Sequence, residues 1–287
     1  MSCEGKAYSL GAGTVINAIA TWKGAAFGID LKTFAHVELS RNDDHIRGSI
    51  DGMPDGDTAL IEKCVRHVLD HFGLKMGGAV MTSSEVPLAR GLKSSSAAAN
   101  ATVLATLDAI GEEMDPLEAV RLGVRAAKDA GVTITGAFDD ACASFFGGFV
   151  VTDNRETELL KREEREADVL IFAPDRKAFS SGTNVARSRL LAPWVDIAYE
   201  LALRGEYEKA MSLNGFLYCS ALGFDTEPMM RALEAGIKGV TLSGTGPSYV
   251  ALVDERSSGI LRDAWQECGI SGTVICTKIN NKGAGKL

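Results

Sequence analysis

The 287-residue sequence predicts an α+β protein in two parts, on three observations. Its first half mixes apolar segments of strand length with others of helical period. A densely charged stretch from Arg155 to Asp168 then interrupts the apolar pattern and marks the best boundary. Beyond it the segments run strand, helices, two strands, helix, strand, which is the ferredoxin-like order with an enlarged first helical layer. The predicted domains are therefore 1–155 and 156–287.

In order along the chain, Ala7 to Asn17 is small and apolar and reads as a strand ending in a tight loop. Ala35 to Leu39 alternates as a strand does. Leu60, Ile61, Cys64, Val65, Val68, Leu69 and Phe72 fall at helical spacing, and Gly73 stops that helix. Ala79 to Met81 reads as a short strand. Ala97 to Ile110 is almost entirely small or apolar, which predicts a buried helix closed by Gly111. Asp115 caps a helix with Pro116 in its first turn, running to about Ala130. Phe145 to Val151 reads as a strand entered through Gly147-Gly148. The charged stretch reads as a solvated helix face or linker. Val169 to Ala173 then predicts a strand, followed by helices to about Leu222 and from Pro228 to Ala235. Strands around Val240–Leu242 and Tyr249–Val253, a helix from Ser257 to Cys268 and a strand from Thr273 to Ile279 complete the second part. The tail from Asn280 is rich in Gly and Lys and is expected to be loose.

A net charge of -8 and a pI of about 5.2 argue against a nucleic-acid module, which needs a basic face. Six cysteines without a Cys-x-x-Cys pair predict reduced thiols and a cytoplasmic protein. No signal-like start and no apolar run of about 18 residues occurs, so no membrane partner is expected.

Three segments carry candidate chemistry. In Pro87-Leu88-Ala89-Arg90-Gly91-Leu92-Lys93-Ser94-Ser95-Ser96-Ala97, glycine permits close backbone approach and serines start a helix whose amides and dipole face the loop. Such a loop suits a phosphate, with Arg90 and Lys93 as cations, although serines starting a helix can also be plain caps. It is not a Walker A loop, because Leu92 precedes Lys93, and Gly11-Ala12-Gly13 lacks the third glycine of a dinucleotide fingerprint. In Thr135-Gly136-Ala137-Phe138-Asp139-Asp140-Ala141, two acids lie in apolar company. They suit proton transfer or a metal, or else an Asp cap on a helix starting near Ala141. Ser243-Gly244-Thr245-Gly246-Pro247-Ser248 lies between two strands and offers either a turn with free amides or an ordinary hairpin. His67 and His71 share a helix face, but Val68 stands where a metalloprotease helix needs Glu.

The order and spacing of these segments resemble the GHMP kinases. Their signature of proline, spacer and Gly-Leu-Gly-Ser-Ser-Ala-Ala is similar to Pro87 through Ala98, with Lys93 in a glycine slot and one added serine. Their C-terminal glycine motif is similar to Ser243 through Ser248. Their Asp segment running into Gly-Gly is similar to Asp139 through Gly148. Within that superfamily, Asn17-Ala-Ile-Ala-Thr21, Lys23 to Ile29, Arg90 to Ser96 and Ile134 to Ala141 resemble the archaeal-type shikimate kinases.

The resemblance implies an N-terminal ATP- and substrate-binding domain, a ferredoxin-like C-terminal domain and a site in the cleft between them. It implies phosphoryl transfer from Mg-ATP to the 3-hydroxyl of shikimate, a small-molecule substrate, with homoserine kinase or another small-molecule kinase as the alternative. Pro87 through Ala97, with Gly244, Thr245 and Gly246, would hold ATP. Ser95 or Ser96 would reach Mg²⁺. Asp139 would take the hydroxyl proton, with Asp140 next in line. Two departures follow. Thr14 stands where several relatives carry a lysine near the acid, leaving Lys23 as the candidate replacement. Lys128 stands where several carry a magnesium-binding Glu, and Asp129 is the nearest acid, hence the candidate second ligand.

Overall fold

The computed structural model describes residues 2–133, 135–176 and 184–287. Among the described residues a seven-stranded sheet dominates the first part: β11 (Gly285–Lys286), β1 (Ser2–Ile16), β2 (Lys23–Ser40), β4 (Gly77–Ser84) and β3 (Ile46–Ile50) lie in that order, with β5 (Phe149–Asp153) paired to β2 and β6 (Glu158–Glu163) to β5. Its centre is the antiparallel pair β1 (Ser2–Ile16) and β2 (Lys23–Ser40). The long β2 serves two neighbours: Lys23 to Phe27 pairs β5 (Phe149–Asp153), while Thr33 to Ser40 pairs β4 (Gly77–Ser84). β3 (Ile46–Ile50) runs parallel to β4.

Helices cover one face of this sheet. In α1 (Ala59–His71), Leu60, Ile61, Cys64, Val65, Val68 and Leu69 are all buried, as their spacing requires. α2 (Ser94–Ile110) is the central helix. Half of the residues it buries are alanines, which let it lie close on β1 and pack beside α1 and α3 (Pro116–Asp129). Asp115 caps α3 by accepting from the amides of Leu117 and Glu118. α4 (Phe138–Phe146) follows and packs on β1, β2 and β5.

The second part is a four-stranded antiparallel sheet in the order β10-β7-β9-β8, built from β7 (Asp168–Pro174), β8 (Val240–Leu242), β9 (Tyr249–Val253) and β10 (Gly272–Lys278). The first and third strands sit at its centre, as in the ferredoxin-like arrangement expected. Its helices are α5 (Val185–Arg189), α6 (Ala192–Leu203), α7 (Tyr207–Leu222), α8 (Glu227–Glu234) and α9 (Glu255–Gln266). α6 and α7 reach back to the first sheet, so one apolar core joins the two parts. Phe149 of β5 stacks on Tyr207 of α7 with ring centroids 4.3 Å apart.

Three expectations need correction. The charged stretch is neither helix nor linker: β6 (Glu158–Glu163) pairs β5, and its exposure alternates along an edge strand. The tail is tied down, because β11 (Gly285–Lys286) pairs Ala7 and Tyr8 of β1. Phe145 and Phe146 close α4 instead of opening a strand. All six cysteines are free. Among the described residues, no helix is long and apolar enough to cross a membrane.

Candidate active site

Two helix N-termini converge on one cleft. The first belongs to α2. Its loop turns through three left-handed residues, Ala89 (φ 54°), Gly91 (φ 78°) and Lys93 (φ 65°). At Gly91 only glycine fits, since a Cβ would lie 2.3 Å from the Ser243 carbonyl oxygen. Ala97 is the first residue whose amide is held within the helix, donating to the Lys93 carbonyl at 3.0 Å. The amides of Ser94, Ser95 and Ser96 therefore have no intrahelical partner and form an anion-binding end. Ser95 is exposed, and Ser94 and Ser96 are half-buried.

The glycine turn after β8 holds this loop in place. Ser243 Oγ donates to the Gly91 carbonyl at 2.8 Å, and the Ser248 amide donates to the Arg90 carbonyl at 3.3 Å. The Gly244 amide donates to Thr14 Oγ1 at 2.8 Å, so the threonine that stands in for a lysine serves as a strut. Asn17 Nδ2 donates to the Gly244 carbonyl at 2.8 Å, and the Asn17 amide in turn donates to Asn214 Oδ1 of α7 at 2.9 Å.

The second N-terminus is that of α4. It begins at Phe138, three residues before the expected start, after Ala137 in a left-handed conformation (φ 49°). Asp139 and Asp140 thus lie in its first turn rather than at its cap. Asp139 is 4% exposed. Its Oδ1 accepts from Asn154 Nδ2 at 2.7 Å, and its amide donates to Asn154 Oδ1 at 3.2 Å. Thr152 Oγ1 also donates to Asn154 Oδ1, at 2.8 Å, which fixes the orientation of that amide. Gly24 makes room for the carboxylate, because a Cβ there would lie 2.5 Å from Asp139 Cγ. Burial, reinforced by the charge of Asp140, pushes the Asp139 carboxyl up to about 7, against the opposing pull of Lys93 and Asn154. Asp140 has a different partner: Lys93 Nζ lies 3.0 Å from its Oδ1, with side chains 9% and 13% exposed respectively.

The cleft is lined by Lys93, Asp139, Asp140, Gly244 and Thr245, all singled out by sequence. Asn17, Ala18, Ile19, Thr133, Thr135 and Ala137 complete it. Ile134 lies outside the described residues. Of the other residues expected to hold ATP or magnesium, Pro87, Leu88, Ala89, Arg90, Gly91, Leu92, Ser94, Ser95, Ser96, Ala97 and Gly246 are not part of the lining; Ser94 to Ser96 follow Lys93 directly in the first turn of α2. Three expected participants are elsewhere. Asp129 is turned to α1, where its carboxylate meets His67 Nε2 at 2.8 Å, because it sits at the far end of α3. Arg90 is not aimed into the cleft: its guanidinium donates to the carbonyls of Ala173, at 3.3 Å, and Pro174. Lys23 pairs Asp196 of α6 at 2.9 Å and is not part of the cleft lining. Among the described residues no three His, Cys, Asp or Glu side chains gather as a metal cluster. Asn154 escaped the sequence reading, since a strand-end asparagine carries no motif.

The chemistry available is an anion cradle, a buried cation and a carboxyl poised near neutrality within one cleft. Comparison with known proteins agrees with that arrangement. Residues 59–148 match the family model described as GHMP kinases N terminal domain. The chain is 70% identical to a shikimate kinase of Methanococcoides burtonii over the whole of both chains. It is 68% identical to a shikimate kinase of Methanosarcina mazei, covering 99% of this chain and 97% of that one. Among solved structures, Lactococcus lactis galactokinase complexed with galactose superposes with a TM-score of 0.78 at 16% identity, covering 99% of this chain and 95% of that one. At that identity the likeness speaks for the fold.

Proposed function

The chain belongs to the shikimate kinase family of the GHMP kinases, and from that membership we propose that it transfers the γ-phosphoryl group of ATP to the 3-hydroxyl of shikimate, yielding shikimate 3-phosphate on the route to chorismate. The observation that carries the reading is the meeting of the α2 N-terminus, through its cap residue Lys93, and the Asp139 carboxyl in one cleft. Phosphoryl transfer asks the protein for position and charge neutralisation more than for covalent chemistry. The amides of Ser94 to Ser96 hold the β- and γ-phosphates, and the Gly244-Thr245-Gly246 turn shapes the loop that presents them. Asp139 accepts the proton of the attacking hydroxyl, for which a carboxyl near 7 is well matched at neutral pH. Asn154 holds that carboxyl in one orientation. Thr133, Thr135 and Asn17 provide polar contacts for the remaining substrate hydroxyls.

The donors present fit magnesium. Serine hydroxyls beside a phosphate cradle, with a carboxylate near, suit an ion that takes few protein ligands and keeps phosphate oxygens and waters. Ser95 or Ser96 would hold it, and it would neutralise charge on the phosphates. Asp129 is not retained as a ligand, given its place against His67. The same reading makes the protein a cytoplasmic enzyme of a soluble small molecule.

A coupled ADP-release assay with shikimate, homoserine and mevalonate tests the reading. Turnover with shikimate alone is expected, and turnover with homoserine alone would overturn the substrate assignment.

A further inference from the structure

Lys93 is unusual in three ways. It adopts a left-handed backbone conformation, φ 65°, that favours glycine. Its ammonium is nearly buried, 3.0 Å from Asp140 Oδ1. It also runs directly beneath the glycine turn, since a Cβ on Gly244 would lie 2.7 Å from Lys93 Nζ. Its backbone is thus the N-cap of α2 while its charge lies at the first turn of α4. One residue spans the phosphate cradle and the acid pair. Of the cleft-lining residues described, it is the only cation, Arg90 and Lys23 being held elsewhere.

We propose that Lys93 is the side chain that meets the phosphoryl group in transit, and that Asp140 is its anchor and not a second base. This rests on the kinase reading above and divides the labour of the two acids. As the hydroxyl oxygen bonds to the γ-phosphorus and the bond from that phosphorus to the ADP oxygen breaks, the hydroxyl proton passes to Asp139. Charge on the transferring oxygens is met by the Lys93 ammonium, which Asp140 holds between donor and acceptor. ADP leaves with the electron pair of the broken bond. A cation fixed in place before the reaction needs no reorganisation during it, and the Asp140 contact and the Gly244 roof supply that fixity.

The test uses the full chain and binding of Mg-ADP against a non-hydrolysable Mg-ATP analogue, with kcat alongside. Lys93→Gly is the leading variant, because its backbone relaxes at a left-handed position while the charge is lost. The Lys93→Met/Asp140→Asn pair adds a form with no unpaired buried charge. Expected for Lys93→Gly is a kcat loss of about 10²–10³-fold. Its affinity for the ATP analogue should weaken roughly tenfold while that for ADP stays within about twofold, because the contact is made to the terminal phosphoryl alone. Asp140→Asn should lose about tenfold in kcat, and the double variant should be no worse than Lys93→Met alone, the signature of a coupled pair. Equal weakening of ADP and analogue would overturn the proposal, as would a Lys93→Gly kcat within about threefold of wild type. Absence of turnover with shikimate in the wild type would sink the substrate reading instead. The contrast between analogue and ADP needs no acceptor and would still decide on Lys93.

Discussion

The N-termini of α2 and α4 are built alike and used oppositely. Both helices start behind a non-glycine residue in the left-handed region, Lys93 at φ 65° and Ala137 at φ 49°, and neither has a side-chain cap. That conformation costs an ordinary residue about 1 kcal/mol, so both starts are held by their surroundings. The first turn of α2 carries no acid, and its amides stay open to a foreign anion. The first turn of α4 carries two acids of its own. On the proposed function, the positive end of one helix is left for the phosphates of ATP, whereas the first turn of the other carries the protein's own carboxylates. Helix geometry alone therefore does not make a phosphate site; what the first turn leaves unfilled does. Lys93 ties the two ends together, cap of one and counter-ion of the other.

The strongest way to break this comparison is at Asp139. Asp139→Ala should lower kcat by about 10³-fold or more, with only modest loss of ATP affinity, because the phosphate end is untouched. Near-normal turnover in steady-state kinetics would show that the α4 end has no chemical role. A second contrast is in pH. The kcat/KM of the wild type should climb with pH and level off above about 7, where Asp139 has lost its proton. In Asp140→Asn the acid limb should move to lower pH, since the neighbouring negative charge that helps raise Asp139 is gone while Lys93 and Asn154 remain. Lys93→Gly should move it to higher pH.

A smaller effect sharpens the account of stability. The Asp139 carboxyl keeps its proton in the fold up to about 7 but ionises near 3.8 when exposed. The stability tied to this group is full below the lower value and is lost as pH rises through the upper one. Asp139→Asn removes that loss while keeping an acceptor for Asn154. Its melting temperature should exceed that of the wild type by on the order of 5 °C at pH 8 and show little difference near pH 4. A gain equal at both pH values would mean that ionisation is not the cause. The smallest effect is at Asp129. Asp129→Asn should leave kcat and the magnesium dependence of turnover within about twofold, as expected of an exposed contact to His67.

What could be read from sequence was local in sequence. The helical spacing of Leu60 to Leu69, the cap at Asp115 and the glycine turn at Gly244 each depend on residues within a few positions, and each is where its pattern places it. The acid pair was legible as chemistry but misplaced on its helix. The left-handed entry at Ala137 has no residue signature, so an Asp cap near Ala141 was the natural local reading. Asp129 was named for its nearness to the expected spacing before Asp139, and in the fold its carboxylate meets His67 of α1, a contact that needs the fold to be seen. Asn154 and Asn214 were invisible, because each matters only through a partner brought close by the fold. The edge strand β6 was hidden by its charge, which is what protects an edge from pairing with other chains.

The segment between β1 and β2 has a consequence beyond the shape of the cleft. Asn17 to Trp22 has no regular structure, yet the Asn17 amide donates to Asn214 Oδ1, the Ala20 amide to Tyr218 Oη at 3.2 Å, and Tyr218 Oη to the Asn17 carbonyl at 2.9 Å. Protection of the Asn17 and Ala20 amides from hydrogen exchange is therefore set by the departure of α7. A substitution deep in the second half that loosens α7 would release the cleft wall formed by Asn17, Ala18 and Ile19. The residues that line the cleft thus inherit the stability of a helix almost 200 positions away in the chain, as the separation of Asn17 and Asn214 by 197 positions shows.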